Sequence, residues 1–169
     1  MLSLGLHTRA RSSPIVLMLV TLCGIALLIF MYLKRKNSMN NALTVYSELK
    51  ALGMSDNIAK YATAQAGHET GGFTSAIFKE NNNCFGMNYE GQVNAKGEKN
   101  GYAYYDRISD SVSDWLAWYV RNRNKLLSLP LFITSLESFV SFLKNNDYFT
   151  DTEANYLAGC QYYYKQYFG

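Results

Sequence analysis

The chain has 169 residues, 49% hydrophobic and 17% charged, with two prolines and three cysteines. That length allows one ordinary domain plus an attachment; the composition excludes wholesale disorder, and so few cysteines exclude a disulfide-dense scaffold. The net charge of +3 is unevenly placed, because residues 1–36 hold five basic and no acidic side chains, leaving 11 basic against 13 acidic residues beyond them, a net of −2 without the basic stripe a nucleic acid would need.

Pro14 to Leu33 reads PIVLMLVTLCGIALLIFMYL, 20 residues without a charge. As a helix it would rise roughly 30 Å, the depth of a bilayer's hydrocarbon core. Lys34-Arg35-Lys36 follows at once, suited to lipid headgroups, and Tyr32 lies at the same boundary. The run exceeds the ~7–15 residues of a signal-peptide core, and no small-x-small cleavage site precedes the basic cluster. The segment therefore reads as an uncleaved transmembrane helix, residues 14–33. Residues 1–13 form a short N-terminal segment, residues 34–41 a basic and then polar tether, and residues 42–169 the domain proper.

Within the domain, Leu43, Val45, Tyr46, Leu49 and Leu52 repeat at a helical period, ended by Gly53. Ser55 can cap a second helix to about His68, with Ile58, Tyr61, Ala62 and Ala66 on one face and Thr70-Gly71-Gly72 as its stop. Residues 80–101 are rich in Asn and Gly; with Tyr102 and Tyr104 they predict short strands in a small β-hairpin lobe. A third helix starts at Ser109 or Ser111 and runs through Leu127, before Pro130. Thr134 to Glu137 and Thr150 to Glu153 read as capping boxes that open two more helices. The fold class is α+β: a mainly helical domain with a hairpin lobe inserted after its second helix, and a cleft between the two parts.

Glu69 is the sharpest chemical candidate. It ends a helix, where the negative end of the dipole disfavours its ionised form, and Phe73 and Phe85 would desolvate it. A carboxyl still protonated near neutral pH can give its proton to a glycosidic oxygen. By itself, a Glu at a helix end is commonly a solvated surface residue.

Its company changes that reading. Ala64-Gln65-Ala66-Gly67-His68-Glu69-Thr70-Gly71, followed by Asn83-Cys84-Phe85-Gly86, resembles the bacterial glucosaminidase family of peptidoglycan hydrolases, with its flagellum-associated and autolysin-type enzymes. The family pattern is Ala-Gln-Ala, two apolar residues, Glu-Ser/Thr-Gly, then Asn-Leu-Phe-Gly. Tyr105 to Trp115 and Tyr148-Phe149-Thr150-Asp151, with Tyr156 beyond, match two further blocks in order. Cys84 replaces a Leu, Gly67 and His68 stand at apolar positions, Gly72-Phe73 replaces Trp-Gly, and Arg107 stands in for Ser. The resemblance implies a lysozyme-like fold, with Glu69 as catalytic acid and Tyr148 beside it.

The second carboxylate is open: Glu90, Glu98 and Asp106 lie in or beside the lobe, and the substrate's own N-acetyl group can serve instead. Gln65, Asn83, Phe85, Gly86 and Tyr105 are candidate substrate-binding residues. Gln65 is as readily a polar residue on a helix face, and Asn83, Phe85 and Gly86 suit a cleft floor. The tyrosines at 102, 104 and 105 can stack on sugars or pack in the lobe. Trp115 and Trp118 read as core. His7 and His68 have no ligand partners at a metal spacing, so no metal site and no cofactor are expected. Cys84 and Cys160 read as buried free thiols, with pairing open to them in an oxidising envelope.

The expected function is a membrane-anchored endo-β-N-acetylglucosaminidase acting on peptidoglycan glycan strands, in a bacterial envelope or the membrane of a bacterial virus. A lytic transglycosylase or muramidase on the same strand is the alternative enzyme, since Glu69-Thr70-Gly71-Gly72 also resembles that family's Glu-Ser-Gly-Gly. A glycan-binding or scaffolding module is the non-catalytic alternative. Basic residues flank the span on both sides, so charge does not orient it; the location of peptidoglycan places residues 37–169 outside the cytoplasm.

Overall fold

The computed structural model describes residues 14–125 and 133–169. It comprises two units, residues 1–36 and 37–169. In the first unit the described residues are helical throughout. Leu27 to Leu33 are all exposed, seven consecutive apolar residues covering nearly two turns, so this helix is apolar on every side.

The second unit is mostly helical with one small sheet. Helix α1 spans Pro14–Ala51, α2 Asp56–Glu69 and α3 Ala76–Asn81; strands β1 (Gly97–Lys99) and β2 (Tyr102–Tyr104) follow; then come α4 (Ile108–Lys125), α5 (Leu136–Asn145) and α6 (Glu153–Phe168). The expected end of α4 near Leu127 lies outside the described residues.

Helix α1 departs from expectation by running through the polar stretch without a break. Asn37 to Asn41 contains no Gly or Pro, so nothing there stops a helix that Leu33 hands on and Ala42 resumes. Nor is the stretch a loose tether. Ser38 is buried, and its hydroxyl pairs with that of Tyr167 at 3.0 Å. Ala42, Val45 and Leu49 then bury one face. Gly53, at φ +86°, ends the helix as expected: its N–H bonds to Lys50, and the Met54 N–H bonds to Leu49.

Helix α2 is buried almost all round, including Thr63, Ala64 and Gln65, rather than on the single face its apolar spacing predicts. Its small residues permit this, since Ala and Gly let neighbouring elements approach closely. The Thr63 hydroxyl is satisfied within the helix by Ala59 O at 2.8 Å. Around it gathers an aromatic core in which Trp115 stacks between Phe85 and Tyr119, at centroid distances of 4.7 and 5.4 Å.

The hairpin forms where the turn chemistry placed it. Asn100 and Gly101 have φ of +58° and +82°, the two positive values a two-residue turn requires, and Glu98 pairs with Ala103. Three local features differ. Helix α3 is an additional turn and a half, capped by Ser75. The α5 box uses Ser135 and Ser138 in place of Thr134 and Glu137. Helix α6 is capped by Thr152, which accepts from Asn155, in place of Thr150 with Glu153. Neighbouring Ser and Thr residues offered several cap frames; side-chain packing chose among them.

Candidate active site

Glu69 occupies the last turn of α2. Gly71, at φ +58°, reverses the chain there, with the Gly72 N–H bonded to Gly67 O at 2.7 Å and the Gly71 N–H to His68 O at 3.3 Å. The Thr70 hydroxyl locks the stop by donating to Ala66 O and accepting from Phe73 N. The carboxyl is thereby held at the end of the most deeply buried helix, half-buried itself.

Its two oxygens have different neighbours. The Tyr156 phenol donates a hydrogen bond to Oε1. Oε2 faces Gly86, at φ +62°, where an added Cβ would lie only 3.2 Å away. Burial raises the carboxyl to about 6, and the Tyr156 hydrogen bond opposes that rise. Desolvation, one of the two causes read from the sequence, outweighs the Tyr156 hydrogen bond in the structure.

Tyr148 stands close by. Its hydroxyl donates to Phe85 O at 2.7 Å, and its ring meets Trp118 edge-on at 4.6 Å. Burial, followed by the nearby Glu69 charge, raises this phenol well above 10, so it stays protonated. Gln65 is fully buried beside it, close enough to influence the phenol but without hydrogen-bond geometry, and among the described residues neither of its amide atoms has a hydrogen-bond partner.

The loop carrying Gly86 is fixed by three successive asparagines. Asn81 donates to Lys99 O at 2.9 Å, and Asn82 to Tyr105 O at 3.0 Å. Asn83 donates to Met87 O and Ala103 O and accepts from the backbone N–H groups of Phe85 and Met87. These bonds tie the loop to the hairpin and set the position of Gly86 opposite the acid.

Of the residues singled out by sequence, the structure brings Glu69, Gly86 and Tyr148 together. Asn83, Phe85 and Gln65 are buried at 0, 1 and 0% exposure and support them from behind. Tyr105 is also fully buried, so its ring is not offered to a sugar. It packs in the core because its backbone N–H is anchored on Asn81 O, which turns the side chain inward toward Asp114. Glu90 and Glu98 are exposed in the lobe, and Asp106 is exposed in an ion pair with Lys96 at 3.4 Å.

Tyr156 was given no role at the site by the sequence, yet it touches the acid directly. Its place in the Tyr148-to-Tyr156 block was the one available signal. Two departures from the family pattern also find their reason here. Gly67 leaves room for the Tyr163 and Tyr167 rings, whose nearest atoms lie 2.9 and 2.8 Å from where its Cβ would be. His68 turns away from the acid and meets Tyr156 edge-on at 4.6 Å.

Cys84 and Cys160 are free and buried. Burial pushes the Cys84 thiol up to about 12, which makes it unsuited to nucleophilic work. Among the described residues, no group of three His, Cys, Asp or Glu side chains is placed to hold a metal.

Comparison with known proteins gives no match among curated proteins or solved structures. Residues 46–168 match the family model named Glucosaminidase, described as mannosyl-glycoprotein endo-beta-N-acetylglucosaminidase. That span holds every residue of the site, from Gln65 through Tyr156, and most of the chain. The chain therefore belongs to the glucosaminidase family and is a glycosidase of the peptidoglycan-hydrolase type.

Proposed function

We propose that this chain is a membrane-anchored endo-β-N-acetylglucosaminidase of peptidoglycan, with Glu69 as general acid. The observation that carries the reading is the carboxyl itself. It is half-buried, raised to about 6 and held at a helix end within a glucosaminidase domain. As the bond between the anomeric carbon and the bridging oxygen breaks, the Glu69 proton passes to that oxygen. Water then supplies hydroxide to the anomeric carbon and returns a proton to the carboxylate.

The attacking group is either water activated by a second carboxylate or the substrate's own N-acetyl oxygen. Glu90, Glu98 and Asp106 are the lobe carboxylates available for the first course. A helical domain with a hairpin lobe also suits the lysozyme-like arrangement that the family resemblance implies. Residues 14–33, apolar on every side, would span the bilayer with residues 37–169 outside the cytoplasm.

The test is mass spectrometry of purified peptidoglycan digested by the full chain in detergent, with Glu69→Gln alongside. New reducing-end N-acetylglucosamine, absent with the variant, is the expected result. Reducing-end N-acetylmuramic acid would make it a muramidase, and the anhydro form a transglycosylase. No fragments from folded protein would favour a binding role. Protease digestion of intact spheroplasts tests the topology, where a protected domain would contradict it.

A further inference from the structure

Tyr156 lies outside every role so far assigned, and its surroundings are unusually exact. The ring is 3% exposed. It stacks on Phe149 at 3.7 Å with only 4° between planes, and His68 meets it edge-on at 4.6 Å. Two rings thus fix its plane, leaving the hydroxyl no freedom except rotation about its C–O bond. That hydroxyl ends on Glu69 Oε1.

The other oxygen is treated differently. Gly86 offers only hydrogen where any other residue would place a Cβ 3.2 Å from Oε2. Its φ of +62° disfavours any other residue there as well. One oxygen is therefore engaged by a donor, and the other faces an opening kept by a glycine.

We propose that Tyr156 is a positioning residue that occupies Glu69 Oε1 and so assigns the transferable proton to Oε2, in the opening beside Gly86. This rests on the reading of Glu69 as general acid. The phenol does not touch the reacting atoms; it acts by fixing the carboxyl's orientation and by favouring its ionised form.

The phenols and the thiol around the acid remain protonated while it titrates. Tyr148, Tyr156 and Cys160 are all raised by burial, with the Glu69 charge adding to each. His68 is lowered by burial from its ordinary 6.5. The Tyr156 hydrogen bond is thus the specific interaction whose removal should move the acid.

The test compares full chain in detergent with its Tyr156→Phe variant, which keeps both ring contacts. Glu69 is titrated directly by the infrared carboxyl band, assigned by difference against Glu69→Gln, and the pH profile of glycan cleavage is recorded in parallel. Losing a donor to the ionised form should raise the Glu69 pKa and move the basic limb of kcat upward with it, while kcat falls more than KM changes. Replacing Tyr156 with 3,5-difluorotyrosine, a stronger donor of similar shape, should shift both in the opposite direction, and it serves if the Phe variant does not fold. An unshifted or oppositely shifted carboxyl band overturns the proposal. A band that shifts as expected in the variant, while the wild-type chain cleaves no glycan, overturns the hydrolase reading alone.

Discussion

His68 fills the space that Gly159 leaves empty: a Cβ at position 159 would overlap the imidazole ring. The packing of α2 on α6 depends on this knob and hole, together with Gly67 and its two tyrosine neighbours. Gly159→Ala should therefore cost ~1–3 kcal/mol by overpacking, even though Ala is the better helix former. With His68→Ala the obstruction is gone, and the same change should stabilise by up to ~1 kcal/mol. Urea denaturation of the four combinations measures this reversal of sign; two destabilising effects that simply add would show that the pair is independent.

Catalysis should fail on the alkaline side. The Glu69 carboxyl, raised to about 6, must be protonated to act, so its active fraction falls about tenfold per pH unit above that value. A basic limb in kcat/KM near pH 6 is expected, because that ratio reports the free enzyme. Glu69→Gln should lower kcat by roughly 100- to 10,000-fold below pH 6, the range expected of a lost general acid, and by progressively less above it as the wild type loses its own protonated fraction.

The same carboxyl costs stability. Its pKa rises from 4.5 to about 6 on folding, so the folded state binds the proton more tightly. Stability is then fully present below pH 4.5 and declines as pH rises through 6, by about 2 kcal/mol. Glu69→Gln should abolish that slope, leaving the variant more stable than wild type at neutral pH. Thermal melts between pH 4 and pH 8 provide the check, and parallel curves for the two proteins would contradict the assignment.

Asn83→Ala should damage both loop and activity. It removes four hydrogen bonds and leaves buried backbone groups of residues 85, 87 and 103 short of partners. A loss of ~2–4 kcal/mol in urea melts is expected, since each orphaned buried group costs ~1–3 kcal/mol. The cleavage rate should fall as well, because Gly86 is no longer fixed opposite the acid.

Much of this architecture was legible because its causes are local. Gly53 and Gly71 end their helices by supplying a positive φ, and Asn100-Gly101 turns the hairpin for the same reason. Glu69 was singled out through its neighbours in sequence. The Tyr156–Glu69 bond was not, because it joins residues 87 apart and depends on how α6 packs on α2. Whether Tyr105 faced a sugar or the core stayed open in the sequence, because an alternating lobe leaves inside and outside undecided until a strand is anchored. The run of α1 through Asn37 to Asn41 was hidden by polar residues that weaken a helix without ending it.

The span between Glu69 and Tyr156 sets an order of assembly. A ribosome exposes the acid dozens of residues before the group that holds it, so the emerging chain carries an unheld carboxylate with ordinary acidity. Any product cut short between the two residues would keep the Glu69 carboxyl and lack the phenol that holds it. The carboxyl is thus held in place only once the last helix docks.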